Sequence, residues 1–164
     1  KVHEFWGLTL PDDFVADLRR RDSQAFERDL KIVPGVVDVL DALDAGGIGY
    51  CVASSGTPAK IHPPLTIPKL LHRFNGHLFT ANEVANGKPA PDLFLHAAKC
   101  MGVAPDSCTV IEDSPAGVAG AKAAGMQVLG FTGGSHCGPG YAKTLSQADA
   151  VCADMAAVRK ALGL

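Results

Sequence analysis

Apolar residues recur at helical spacing along several stretches of the chain and run continuously through the short gaps between them. From Pro11 to Leu30 the spacing predicts an amphipathic helix, opened by Pro11 and two acids, with Phe14, Leu18 and Phe26 as its apolar positions. A second helix, Gly35 to Ala45, sets Val36, Val39, Leu40 and Leu43 on one face and stops at Gly46-Gly47, and the apolar run Ile48 to Ala53 follows as a strand. The alternation continues with a strand His77 to Thr80, a helix Asp92 to Met101, a strand Cys108 to Ile111 and a helix Pro115 to Ala124. It closes with the strands Val128 to Phe131 and Ala150 to Cys152 and a helix Met155 to Leu162. Helices alternating with continuous apolar strands predict a doubly wound α/β fold, its parallel sheet covered by helices on both faces. The segment "HPPLTIPKLLHRF", His62 to Phe74, breaks the pattern. A proline inside a helix costs roughly 3 kcal/mol, so a loop is expected here, with regular helix only from about Pro68 onward.

Composition narrows the picture. The 164 residues, 47% hydrophobic, suit one globular domain, and a net charge of −2 gives no electrostatic case for nucleic acid or an anionic membrane. No apolar stretch approaches the ~20 residues of a membrane span and no signal peptide is visible, so a soluble cytoplasmic protein is expected. The five cysteines, Cys51, Cys100, Cys108, Cys137 and Cys152, are odd in number and form no CxxC pair; they read as small core residues in a reducing compartment.

Sheets of this kind bind ligands beyond the carboxyl ends of their strands. There the sequence places Ser54-Ser55-Gly56-Thr57, then Glu112-Asp113-Ser114, then Thr132-Gly133-Gly134, with Lys88 in the loop Asn86 to Asp92. Each has an ordinary structural reading: Ser54, Ser55 and Thr57 as helix caps, Lys88 as a solvated loop charge, Glu112 and Asp113 as charges on a helix N-terminus. Together they read as a phosphate site. Hydroxyls and backbone amides of Ser54 and Ser55 hold phosphate oxygens, Lys88 neutralises them, and Asp113 with Glu112 binds a divalent cation, Mg2+ suiting such oxygen ligands. His136 and Cys137 lack a ligand set and read as lining of the loop after the strand Val128 to Phe131.

The stretches "VASSGTP", "GKPAPDLFLHAA" and "VIEDSPAGVAGAKAAGM", in that order, resemble motifs two, three and four of the haloacid dehalogenase superfamily. The branch they resemble is that of β-phosphoglucomutase and the sugar-phosphate phosphatases with a helical cap. The resemblance covers Ile32 to Leu164 and implies a Rossmannoid core over 32–164, with 1–31 as the last part of a cap. It implies that Ser54 binds the transferring phosphoryl group with the amide of Ser55, that Lys88 bridges that group and the nucleophile, and that Asp113 ligates Mg2+ with Glu112 supporting the metal. Family members form an aspartyl-phosphate on the first acid of an N-terminal Asp-x-Asp, which occurs nowhere in these 164 residues. The expectation is therefore a chain without the central strand that carries the nucleophile, that strand lying upstream of Lys1. Three readings follow: a magnesium-dependent phosphatase of a small phosphorylated metabolite such as a sugar phosphate, a noncatalytic module of the same fold, and a phosphomutase. A dinucleotide-dependent oxidoreductase, which the α/β pattern also admits, lacks its discriminating sequence, because no GxGxxG follows a first strand.

Overall fold

The computed structural model describes residues 11–74 and 76–164, so the opening third of the expected cap segment lies outside the described residues. Helix α1 (Phe14–Asp29) leads into α2 (Val36–Ala45), β1 (Val52–Ser54), α3 (Pro58–Thr66) and β2 (Leu78–Thr80). Then come α4 (Asp92–Met101), β3 (Thr109–Glu112), α5 (Pro115–Ala123), β4 (Gln127–Phe131), β5 (Ala150–Cys152) and α6 (Met155–Ala161). Every strand pairing is parallel, Val52 opposite Leu78, Val110 opposite Val128, and Leu129 opposite Ala150. Among the described residues, no helix is long and apolar enough to cross a membrane.

Strand alternation explains the two layers. On β4, Leu129 and Phe131 join Val39, Leu40 and Leu43 of α2 and Met155 and Val158 of α6 in one core. Val128 points the other way, into a second core with Phe94 and Ala98 of α4 and Val118 and Ala121 of α5. The doubly wound α/β arrangement is therefore present, but among the described residues the sheet is divided: β1 pairs with β2 alone, and β3, β4 and β5 form a separate three-stranded sheet. Helix α4 spans the division, packing on β1, β2 and α5, and Ala53 of β1 and Val110 of β3 both lie against the α4–α5 core. β1 and β3 thus each keep one unpaired edge among the described residues, and Ile111 is 40% exposed there.

Two expectations are corrected. The segment from His62 is not a loop that turns helical at Pro68: α3 runs through Pro63 and Pro64 and ends at Thr66. Each ring removes a backbone donor, but the helix is short, starts on Pro58, and keeps the bonds Ile61 N–H to Thr57 O (3.1 Å) and Ile67 N–H to Pro63 O (3.0 Å). Burial of Ile61 and the packing of Leu65 on the α2–α6 core offset the proline cost. The cysteines are not uniformly core residues either. All five are free; Cys152 is buried, Cys51, Cys108 and Cys137 are half-buried, and Cys100 is exposed at the end of α4. Apolar runs enclose them in sequence, but Cys100 sits on the solvent side of its helix.

Asp149, just before β5, accepts from Lys122 Nζ and from the Val128 amide, both at 2.7 Å, and so ties α5 and the entry of β4 to the next strand. The Lys122 ammonium, then the Val128 N–H, hold its carboxyl below the usual range. A group depressed in the folded state adds stability above its unfolded pKa and loses it as pH falls through the folded value. The melting-temperature advantage of the wild type over Asp149→Asn is therefore expected to shrink as pH drops below about 4. An advantage that does not change between neutral and acid pH would contradict this.

Candidate active site

The carboxyl ends of β1 and β3, the strands on either side of the division, carry the polar groups. Ser54 closes β1, and its Oγ accepts the Gly56 amide at 3.1 Å, a local turn that leaves the hydroxyl proton free to donate. Ser55 follows it, exposed. Lys88 is brought in by a loop that Asp92 closes, its Oδ2 accepting from the Asn86 amide at 3.2 Å and from Asn86 Nδ2 at 3.0 Å. Lys88 Nζ donates to Ala53 O at 3.1 Å and to Glu112 Oε1, and lies 4.8 Å from the centre of the Phe94 ring. The ammonium therefore bridges the ends of the two sheets. Of its three donors two are used, which leaves one for an anion.

Glu112 and Asp113, adjacent in sequence, have opposite fates. Glu112 is 7% exposed. Its Oε1 takes Lys88, and its Oε2 takes both the Ser114 amide and the Ser114 hydroxyl at 3.0 Å. Ser114 in turn caps α5 through the Gly117 amide at 3.0 Å. The carboxylate lies so close to α5 that a Cβ on Gly117 would fall 2.0 Å from it, so only glycine fits. Asp113 turns outward, its side chain half exposed, with His136 Nε2 at 3.6 Å from Oδ2 and the Tyr141 hydroxyl donating to its main-chain oxygen at 2.9 Å.

The structure thus brings Ser54, Lys88, Glu112 and Asp113 to the same strand ends. The donor set can be tested against Mg2+. Among the described residues, no group of three or more His, Cys, Asp or Glu side chains is arranged to hold a metal, and both Glu112 oxygens already have partners. Asp113 offers an accessible hard oxygen ligand. One carboxylate completed by water and substrate phosphate is how Mg2+ is commonly held, so the residues fit. The sequence did not single out Gly117, Phe94 or Tyr141; the only signal for Tyr141 was its place at the end of the glycine-rich loop. Two cavities are lined by other residues. One of about 410 Å³ is lined by Thr66, Lys69, Leu71 and His72. Another of about 80 Å³, lined in part by His62, Thr80 and Glu83, sits beside β2. Neither is lined by Ser54, Lys88, Glu112 or Asp113.

Residues 4–125 match the profile of the haloacid dehalogenase-like hydrolases. The chain is 32% identical over 138 residues to protein CbbY of Rhodobacter capsulatus, which covers 79% of this chain and 60% of that protein. It is 31% identical over 134 residues to 6-phosphogluconate phosphatase of Escherichia coli K12, covering 81% of this chain and 59% of that one. A HAD family hydrolase of Deinococcus radiodurans R1, solved with bound phosphate and sodium, superposes with a TM-score of 0.81 at 31% identity, over 99% of this chain and 72% of that chain. The chain therefore spans about three fifths of the length of these curated relatives.

Proposed function

Because the chain belongs to the haloacid dehalogenase-like hydrolases, we propose that it forms the phosphate-binding edge of a magnesium-dependent phosphatase acting on a small phosphorylated metabolite, a sugar phosphate foremost. The observation that carries this reading is Lys88, held between Ala53 O at the end of β1 and Glu112 at the end of β3 with one donor to spare. In this reading the Ser54 hydroxyl and the Ser55 amide bind the phosphoryl oxygens, and Lys88 offsets the charge that develops on them. Glu112 holds the ammonium in place, and Asp113 ligates the cation. Bound Mg2+ would supply charge neutralisation on the phosphoryl group. Relatives support the substrate class: 6-phosphogluconate phosphatase, hexitol phosphatase A and a probable pseudouridine-5'-phosphatase are among them.

The family chemistry needs a nucleophilic carboxylate, and these 164 residues contain no Asp-x-Asp. Nor do Asp41 and Asp44 of α2 substitute for it, because both are paired with Arg73. A nucleophile borne on a strand lying between the free edges of β1 and β3 would stand beside Ser54, Lys88 and Asp113, and an aspartyl-phosphate would form there. The missing motif also favours a second reading, a noncatalytic chain that binds phosphate without turnover. Phosphate release from a panel of sugar phosphates and other small phosphomonoesters separates the two. It is measured with Mg2+ and with EDTA, for the 164 residues alone and for the longest natural polypeptide containing them. The phosphatase reading expects EDTA-sensitive release from a polypeptide that carries an Asp-x-Asp, lowered about 10²-fold by Ser54→Ala. Release that EDTA and Ser54→Ala leave untouched would sink it, and absence of release from both polypeptides would favour the binding module.

A further inference from the structure

Beyond β4, His136 of the connecting loop and Tyr141 at the start of the 3₁₀ turn Tyr141–Leu145 both reach Asp113. Tyr141 donates its hydroxyl to the Asp113 carbonyl at 2.9 Å while its ring packs against the α4–α5 core. The His136 ring stands edge-on to that ring, centroids 5.5 Å apart, and puts Nε2 3.6 Å from Asp113 Oδ2. Gly134 lies directly under the imidazole, where a Cβ would come within 2.8 Å of His136 Cε1. Leu145, fully buried, anchors the far end.

A nucleophilic relay does not explain the group. Cys137 Sγ lies 3.4 Å from His136 Nε2, the same nitrogen that faces Asp113. A thiol–imidazole–carboxylate relay needs the two partners on different ring nitrogens. What the geometry does achieve is restraint of Asp113: its main chain is fixed by one hydrogen bond and its carboxylate faces a ring that is itself wedged.

We propose that Tyr141 and His136 are positioning residues for Asp113, the first fixing its backbone and the second setting the direction of its carboxylate toward a divalent cation at the strand end. The inference rests on the reading that Asp113 is the metal ligand. Groups that orient a ligand commonly affect metal affinity by 10–100-fold when removed.

The test is a Mn2+ titration of the 164-residue chain, followed by the electron paramagnetic resonance signal of the free ion, with a thermal melt of each variant. Wild type is expected to bind, and Asp113→Asn to abolish binding. Tyr141→Phe, which keeps the packed ring and loses only the hydroxyl, and His136→Ala should each weaken affinity roughly tenfold. His136→Gln, which returns a polar group at similar reach, should recover most of it. If Asp113→Asn abolishes binding while Tyr141→Phe and His136→Ala bind as wild type does, positioning is overturned and the assignment of Asp113 stands. If wild type does not bind Mn2+, or Asp113→Asn binds equally well, the assignment of Asp113 falls and the inference with it.

Discussion

Lys88→Met is expected to destabilise the fold by about 3–5 kcal/mol, the range found when one partner of a buried ion pair is removed. The cause is the group left behind rather than the bond lost. Glu112 is 7% exposed, and with Lys88 gone its Oε1 faces the α4–α5 core with no counter-charge. Methionine conserves most of the side-chain volume over Phe94, so loss of packing is a minor contribution. The double variant Lys88→Met/Glu112→Gln removes the buried charge as well and is expected to regain most of the loss. Urea unfolding of the two singles and the double supplies the coupling energy. A single-variant loss under about 1 kcal/mol, the range of an exposed pair, would show that solvent reaches Glu112 and that the bridge between the sheets is not a buried one.

Gly117→Ala pits two effects of opposite sign. Alanine is favoured over glycine inside a helix by about 1 kcal/mol. The added methyl, however, would sit 2.0 Å from the Glu112 carboxylate, which cannot swing aside without leaving Lys88 and the Ser114 amide and hydroxyl. Overpacking of this kind costs about 1–3 kcal/mol, and disrupting the buried pair adds to it. The clash wins, and a net loss of about 2 kcal/mol or more is expected in the same unfolding experiment. The variant should also lose phosphate binding, because Lys88 and the cap of α5 move together. A rise in melting temperature, as helix propensity alone demands, would mean that α5 and β3 can separate at no cost.

The sequence made the strand ends readable because each strand is a continuous apolar run closed by polar turn residues. Helices on amphipathic stretches were placed closely: α4 spans the predicted Asp92–Met101, and α2 begins one residue after the predicted Gly35. What local patterns carry no information about is pairing at a distance. Lys88 and Glu112 are 24 residues apart and Lys88 and Ala53 are 35 apart, so their meeting depends on how α4 is laid across the two sheets. The prolines of α3 misled for the same reason. Propensity prices Pro63 and Pro64 correctly, but the packing of Leu65 on the α2–α6 core that helps outweigh it comes from elements far away in the chain. The division of labour between the two acids was not legible. Strand alternation does not reach that far, because β3 ends at Glu112 and Asp113 already belongs to the turn before α5, so the outward aim of Asp113 had no signal in the strand pattern. The division of the sheet followed from comparing the motifs present with the motif absent, and the two unpaired edges of β1 and β3 are its structural counterpart.

The claim that the strand ends form a phosphate and divalent-cation site is tested most directly by calorimetric titration of the 164-residue chain with inorganic phosphate, in Mg2+ and again in EDTA. The account predicts saturable binding at one site in Mg2+, weakened by Ser54→Ala and lost with Asp113→Asn or EDTA. Absence of saturable binding, or binding that Ser54→Ala, Asp113→Asn and EDTA all leave unchanged, would contradict it.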